Sequence, residues 1–290
     1  MISIGIPTYN YNVYPLVREI DKQTGKLGID YEILVYDDAS SLDYNLKDTL
    51  KEFKHVRYEV SPKNEGRIKT RRKIAMDARF DNILFLDADV FPADRFFMSK
   101  LIKTMTEKAE VYFGGIKVAP QCSDSSKILR WKYGKYRENI TVEQRQKKPY
   151  LSIISGALLI KKDVFLADTE NMKDLNRYGL DSFFTYHLKK NKRSVIHYSN
   201  PVIHLGLEKN EVFLDKTQKA LETYHYLTTK FQTEPLNKLV NTYEKIKIIP
   251  KNVFRSLFKI SAPFFKKNLL SKNPSLFIFD IYRLLYYAQL

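Results

Sequence analysis

Two carboxylates separated by one small residue close an apolar run at Ile83-Leu84-Phe85-Leu86-Asp87-Ala88-Asp89-Val90. Carboxylates this close repel each other and are costly to bury without a cation or donors, so the pair suggests a divalent metal held by oxygen ligands. The plainer reading is a strand followed by a capped turn, where Asp is common. A second acid pair, Asp37-Asp38, closes the run Glu32-Ile33-Leu34-Val35-Tyr36. Between the two pairs, the loop Ser61-Pro62-Lys63-Asn64-Glu65-Gly66 opens into a segment bearing Arg67, Lys69, Arg71, Arg72 and Lys73. The helix macrodipole disfavours cations at an N-terminus unless an anion sits there too, so an anionic ligand such as a diphosphate would resolve the conflict. A solvated basic face is the alternative.

Positioning these groups requires strands. Apolar runs at 2–6, 32–36, 56–60 and 83–86 alternate with helical patterns at about 12–24, 43–53 and 67–80, which predicts a mostly parallel sheet flanked by helices. Parallel strands bring Thr8 and Asn10, Asp37 and Asp38, and Asp87 and Asp89 to one edge, where open α/β sheets bind ligands. Neither a Gly-x-Gly-x-x-Gly turn nor a P-loop is present. Beyond residue 90 the pattern predicts a helix to about 108, a strand over 111–116 and a basic segment over 123–150. The aromatics of that segment, Trp131, Tyr133 and Tyr136, either line an acceptor site or anchor a surface excursion, and the second is preferred. A strand over 153–160 breaks at Ser155-Gly156, where a ligand or backbone can approach closely. Asp181 opens a helix that runs to about 190, a position where Asp is commonly an N-cap. A strand over 194–198, the stretch Asn200-Pro201-Val202-Ile203-His204-Leu205-Gly206 and a helix over about 209–230 follow.

At 290 residues the chain accommodates one large α/β domain and an appendage. Its hydrophobic content of 44%, 13% aromatic, excludes a disordered chain. A net charge of +16 implies an anionic partner: a nucleotide, a nucleic acid or an anionic membrane surface. No recognition motif of a nucleic-acid module appears, and the acids at the sheet edge weigh against that partner. The single cysteine, Cys122, excludes a disulfide framework and a cysteine-rich metal site and fits a cytosolic location. Residues 1–7 read as a first strand and not as a signal peptide, and no stretch reaches the ~20 apolar residues of a membrane span. From 235 onward, ten Lys or Arg face two acids, half of the total charge. There Val253, Phe254, Leu257, Phe258, Ser261 and Phe265 share a helical face until Pro263 interrupts. Such a basic, aromatic tail suits a lid packed on the main domain or an anionic lipid surface.

Four stretches, taken in order, resemble the motifs of family 2 glycosyltransferases with the GT-A fold. They are Ser3-Ile4-Gly5-Ile6-Pro7-Thr8-Tyr9-Asn10, Val35-Tyr36-Asp37-Asp38-Ala39-Ser40, Asn64-Glu65-Gly66 with Arg71, and Leu86-Asp87-Ala88-Asp89. The resemblance covers about residues 1–230. It implies a GT-A domain over 1–232, with a nucleotide-binding half over about 1–90 and an acceptor half over 91–232, followed by a basic helical extension over 233–290. It implies an inverting glycosyltransferase of the hexosyltransferase type that uses a nucleotide-diphosphate sugar, most commonly UDP-linked. By the same resemblance Pro7, Thr8, Tyr9, Asp38, Asn64, Gly66, Arg71 and Asp87 bind the nucleotide sugar, and Asp89, Asp87 and His204 hold Mn2+ or Mg2+. Asp181 matches the family's general base, although Leu180 stands where a glutamate is usual, and Arg72 stands where asparagine commonly follows the arginine. The implied acceptor is a glycan or lipid-linked glycan of bacterial surface polysaccharide assembly, with the enzyme peripheral at the inner membrane face. A metal-dependent nucleotidyltransferase would want a similar acid pair and basic diphosphate site.

Overall fold

The computed structural model describes residues 1–105 and 108–290. The chain divides into two compact units, the first comprising Met1–Lys117, Ile140–Asn176 and His187–Gly206, the second Val118–Asn139, Arg177–Tyr186 and Leu207–Leu290.

The strands are β1 Ile2–Thr8, β2 Tyr31–Asp37, β3 Val56–Val60, β4 Asn82–Leu86, β5 Val90–Pro92, β6 Val111–Phe113, β7 Ile116–Val118, β8 Ala157–Lys161, β9 Val195–His197 and β10 Val202–His204. Seven of them form one sheet in the order β3-β2-β1-β4-β8-β6-β9, and β5-β10-β7 form a small second sheet. The large sheet is mostly parallel, as expected, but β8 runs antiparallel to both β4 and β6. Apolar runs report burial and not direction, so the reversal could not be read from composition. One sheet face sets Ile2, Ile4, Ile6, Ile33, Val35, Leu84 and Leu86 against Leu16, Val17 and Ile20 of the helix Tyr14–Thr24. In the helix Arg67–Asp77, Ile74 and Ala75 are fully buried, and Arg71 lies one turn earlier.

Several element boundaries differ from expectation. The expected helix over 43–53 is a four-residue turn, Leu46–Thr49, followed by the 3-10 segment Leu50–Glu52. The expected strand over 111–116 splits into β6 and β7, because at Gly114 the chain passes so close to Asn200 that an added Cβ would lie 2.2 Å from its carbonyl oxygen. The helix expected to reach about 108 is Phe97–Thr104, and residues 106 and 107 lie outside the described residues.

In the second unit, Leu129, Phe213, Leu214, Leu269, Phe279 and Tyr282 form a core. Tyr133 packs on Phe213 and Phe279 at centroid distances of 5.5 and 5.7 Å, so the expected surface excursion begins as a packed helix, Ile128–Tyr133. The helix Lys251–Leu269 continues through Pro263, where an interruption was expected. An internal proline costs about 3 kcal/mol. Full burial of Leu269 beyond it, about 1.5–3 kcal/mol, with partial burial of Phe265, offsets that cost, and exposed Lys259 and Pro263 leave the orphaned carbonyl to water. Leu276–Gln289 closes the chain as a final helix. Among the described residues no helix is long and apolar enough to cross a membrane.

Candidate active site

Every expected site residue except Asp181 falls in the first unit. Parallel pairing of β1 with β2 and β4 sets Thr8 opposite Asp37 and brings the end of β4 to the same edge. Asp38 donates its backbone N–H to the Thr8 carbonyl at 2.9 Å. Its carboxylate accepts from the backbone N–H groups of Glu65 at 2.8 Å and Gly66 at 2.9 Å. Asp38 thus ties strand β2 to the turn that starts the helix Arg67–Asp77. Gly66 has φ of +88°, and an added Cβ would lie 2.4 Å from Asn176 Oδ1, so only glycine fits that turn. Asp37 accepts from Ser40 N–H and from the Tyr58 hydroxyl. Asn10, in the left-handed region, accepts from the N–H groups of Ser41 and Leu42 and so joins the two turns. Tyr9 and Asn64 are exposed at this edge, while Thr8 is buried.

Asp87-Ala88-Asp89 is the turn between β4 and β5, closed by Val90 N–H donating to the Asp87 carbonyl at 3.3 Å. The two carboxylates have different partners. Arg67 donates to Asp87 Oδ2 at 2.8 Å, and Arg71 donates to Oδ1. Burial alone would raise the Asp87 carboxyl, but the two guanidiniums, with His204, outweigh it and hold its pKa below the usual carboxylate range. Antiparallel pairing of β10 with β5 sets His204 opposite Val90 and brings its Nε2 to 3.1 Å from Asp89 Oδ2.

Two glycines make room for these acids. A Cβ at Gly156 would lie 2.9 Å from Asp87 Oδ2, and one at Gly206 would lie 2.1 Å from Asp89 Oδ2. The close approach expected at Ser155-Gly156 is therefore that of the Asp87 side chain.

The basic helix start finds its counter-charges inside the protein. Lys69 and Lys73 both pair with Glu65, and Arg72 reaches Glu170, Thr169 and the Leu166 carbonyl. Sequence grouped Arg67 with the basic helix start but gave it no site role of its own, because its partner lies twenty residues away, although its place directly after Gly66 was a usable signal. The three residues expected to ligate a metal do not form a three-ligand cluster: Asp87 is turned to the arginines, leaving Asp89 and His204 as a pair. Among the described residues no group of three or more His, Cys, Asp or Glu gathers to hold an ion unaided.

Asp181 belongs to the second unit and begins the helix Asp181–Lys190. Two residues before it, Gly179 has φ of +92° and sits where an added Cβ would lie 2.8 Å from Ala220 Cβ. Burial, with the Asp181 charge among the further causes, pushes the Tyr224 hydroxyl up to about 12.

The chain belongs to glycosyl transferase family 2, whose profile matches residues 3–166. No curated protein sequence matches the chain. Among solved structures, TarS from S. aureus aligns at TM-score 0.50 and 16% identity over 77% of this chain and 39% of its own. GalNAc-T7 with UDP, GalNAc and Mn2+ aligns at 0.53 and 18% over 70% and 43%. The mannosyltransferase PcManGT from Pyrobaculum calidifontis, in complex with GDP-Man and Mn2+, aligns at 0.58 and 10% over 99% and 85%. This chain thus spans about two fifths of the TarS and GalNAc-T7 chains. At these identities the likeness shows the GT-A fold.

Proposed function

We propose that the protein transfers a sugar, with inversion, from a UDP-linked donor to a hydroxyl of a glycan or lipid-linked glycan, in bacterial surface glycan assembly at the inner membrane face. The observation that carries the proposal is the division of labour in Asp87-Ala88-Asp89: one carboxylate is held by Arg67 and Arg71, the other faces His204. PcManGT and GalNAc-T7, whose structures contain a nucleotide and Mn2+, support a nucleotide-linked donor and a metal. The choice of UDP follows the family resemblance.

In this reading Pro7, Thr8, Tyr9, Asp38, Asn64 and Gly66 line the nucleotide at the ends of β1 and β2. Arg71, 1% exposed, keeps Asp87 oriented for the ribose. Half-exposed Arg67 is the guanidinium with room to turn to the diphosphate. Asp89 would offer the carboxylate oxygen that Mn2+ and Mg2+ both take, and His204 a nitrogen donor that hard Mg2+ disfavours, so the pair favours Mn2+, with phosphate and water oxygens left to complete the shell. When bound, the ion neutralises charge on the departing diphosphate. Asp181 takes the proton of the acceptor hydroxyl as that oxygen bonds to the anomeric carbon and the bond to the diphosphate oxygen breaks. Replacing Asp181 with Asn tests the assignment: transfer falls by roughly 10²–10⁴-fold with donor binding intact, and near-normal turnover removes Asp181 from the role.

A further inference from the structure

The helix Lys251–Leu269 has two apolar faces, and only one is used for folding. Phe254 and Leu269 are buried, and Phe258 and Phe265 pack into the second unit, Phe258 at 5.4 Å from the rings of both Tyr282 and Tyr286. Val253 and Leu257, expected on that same face, turn away from it. Val253, Leu257, Ile260 and Phe264 stand 45%, 48%, 69% and 73% exposed. At spacings of four, three and four they form a stripe about 60° wide and about 16 Å long. Ile248, 91% exposed, and Phe277, 71% exposed, belong to the same stretch of chain. A helix that buries one face and leaves a second apolar stripe in water gains nothing in folding from the stripe.

The charge around the stripe decides its partner. From Lys245 to Phe279 the chain holds eight Lys or Arg and no acid. Only Lys247 has a carboxylate partner among the described residues, Glu244. Two copies joined through such a surface would bring cation to cation, whereas an anionic bilayer supplies apolar depth and counter-charge together.

We infer that Val253, Leu257, Ile260 and Phe264 insert into the headgroup boundary of an anionic lipid surface, with Lys267 flanking the stripe within reach of its phosphates and Lys251, Arg255, Lys259 and Lys266, on the far side of the helix, adding longer-range attraction. The inference rests on the membrane part of the proposed function and assigns it to a defined face.

The test is co-sedimentation of the full chain with vesicles of phosphatidylglycerol and phosphatidylcholine, or of phosphatidylcholine alone. The expected result is pelleting with the anionic vesicles only, reduced by more than about tenfold in I260E/F264E. V212E, which charges an exposed apolar residue on another helix, should pellet like the unsubstituted chain. An unchanged melting midpoint and an unchanged nucleotide-sugar response in I260E/F264E separate this result from misfolding and from failure of the transferase reading. Equal pelleting of I260E/F264E overturns the inference. So does a dimer in light scattering that the same substitutions split without any lipid binding.

Discussion

Substituting Gly206 with Ala tests the geometry of the acid pair more sharply than removing an acid. Its Cβ would lie 2.1 Å from Asp89 Oδ2, 2.7 Å from Asp89 Cβ and 2.8 Å from Asp89 Cγ. Contacts with the Asp89 Cβ and Cγ leave rotation of the carboxylate alone insufficient, so the side chain must retreat by about 1 Å, away from its 3.1 Å approach to His204 Nε2. The overpacking costs about 1–3 kcal/mol of stability. A misplacement of about 1 Å in a reacting geometry costs about 10²-fold in rate. Steady-state transfer measured across a Mn2+ titration should show that fall in kcat/KM together with a raised Mn2+ requirement. Gly28→Ala is the control. That glycine has φ of +60° and nothing within 4 Å of an added Cβ, so the change costs about 1 kcal/mol through backbone strain and leaves the metal response unchanged. An unaltered Mn2+ dependence and rate in Gly206→Ala would refute the argument that this glycine sets the position of Asp89.

The two arginines on Asp87 should separate in a urea titration. Arg71→Ala removes a buried partner and costs about 3 kcal/mol, the low end for a broken buried pair because Asp87 keeps Arg67. Arg67→Ala, at a half-exposed position, costs less than about 1 kcal/mol, and equal losses would contradict the distinction. A pH series should show stability level above about pH 6.5 and falling below it. Burial depresses His187, His197 and His225, aided by Lys190, Arg145 and Lys251 and opposed by Asp168 at His187 and the Pro149 carbonyl at His197. The unfolded chain therefore takes up these protons first, and stability is lost as pH drops from the ordinary histidine value toward the folded ones. Depressed carboxylates such as Glu65, Glu110 and Glu208 respond only below about 4.5, outside that window. Melting midpoints between pH 8 and pH 5.5 check the sign, and a His197→Gln variant should lose less.

Strands β1, β2, β3 and β4 were legible because each is an apolar run bounded by turn residues, and their alternation with helices dictates parallel pairing. The Asp pairs were legible for the same reason, since each closes one of those runs. What escaped was short or relational. Strands β5 and β10 have three residues apiece, too few for a period, and Pro92 made β5 look like a turn; yet their pairing brings His204 to Asp89. His204 was found only through family likeness. The basic start of the helix Arg67–Asp77 seemed to require an external anion because Asp87, Glu65 and Glu170 are its partners in space and only Glu65 lies nearby in the chain. In the helix Lys251–Leu269, apolar residues on two faces merged into one apparent stripe, since Leu257 falls about 60° from Phe254 around the helix and so links Val253 to the buried face.

The proposed Mn2+-dependent capture of a nucleotide sugar by Asp89 and His204 has a direct readout. Thermal shift of the full chain with UDP-sugars, with and without Mn2+, measures it. At a ligand concentration one hundred times Kd, binding stabilises by about 2.7 kcal/mol and raises the melting midpoint by roughly 5 °C. That shift is expected with Mn2+ present, a much smaller one without it, and loss of the Mn2+ effect in Asp89→Asn. An unchanged Mn2+ effect in Asp89→Asn, or no shift with any nucleotide sugar in either condition, would contradict it.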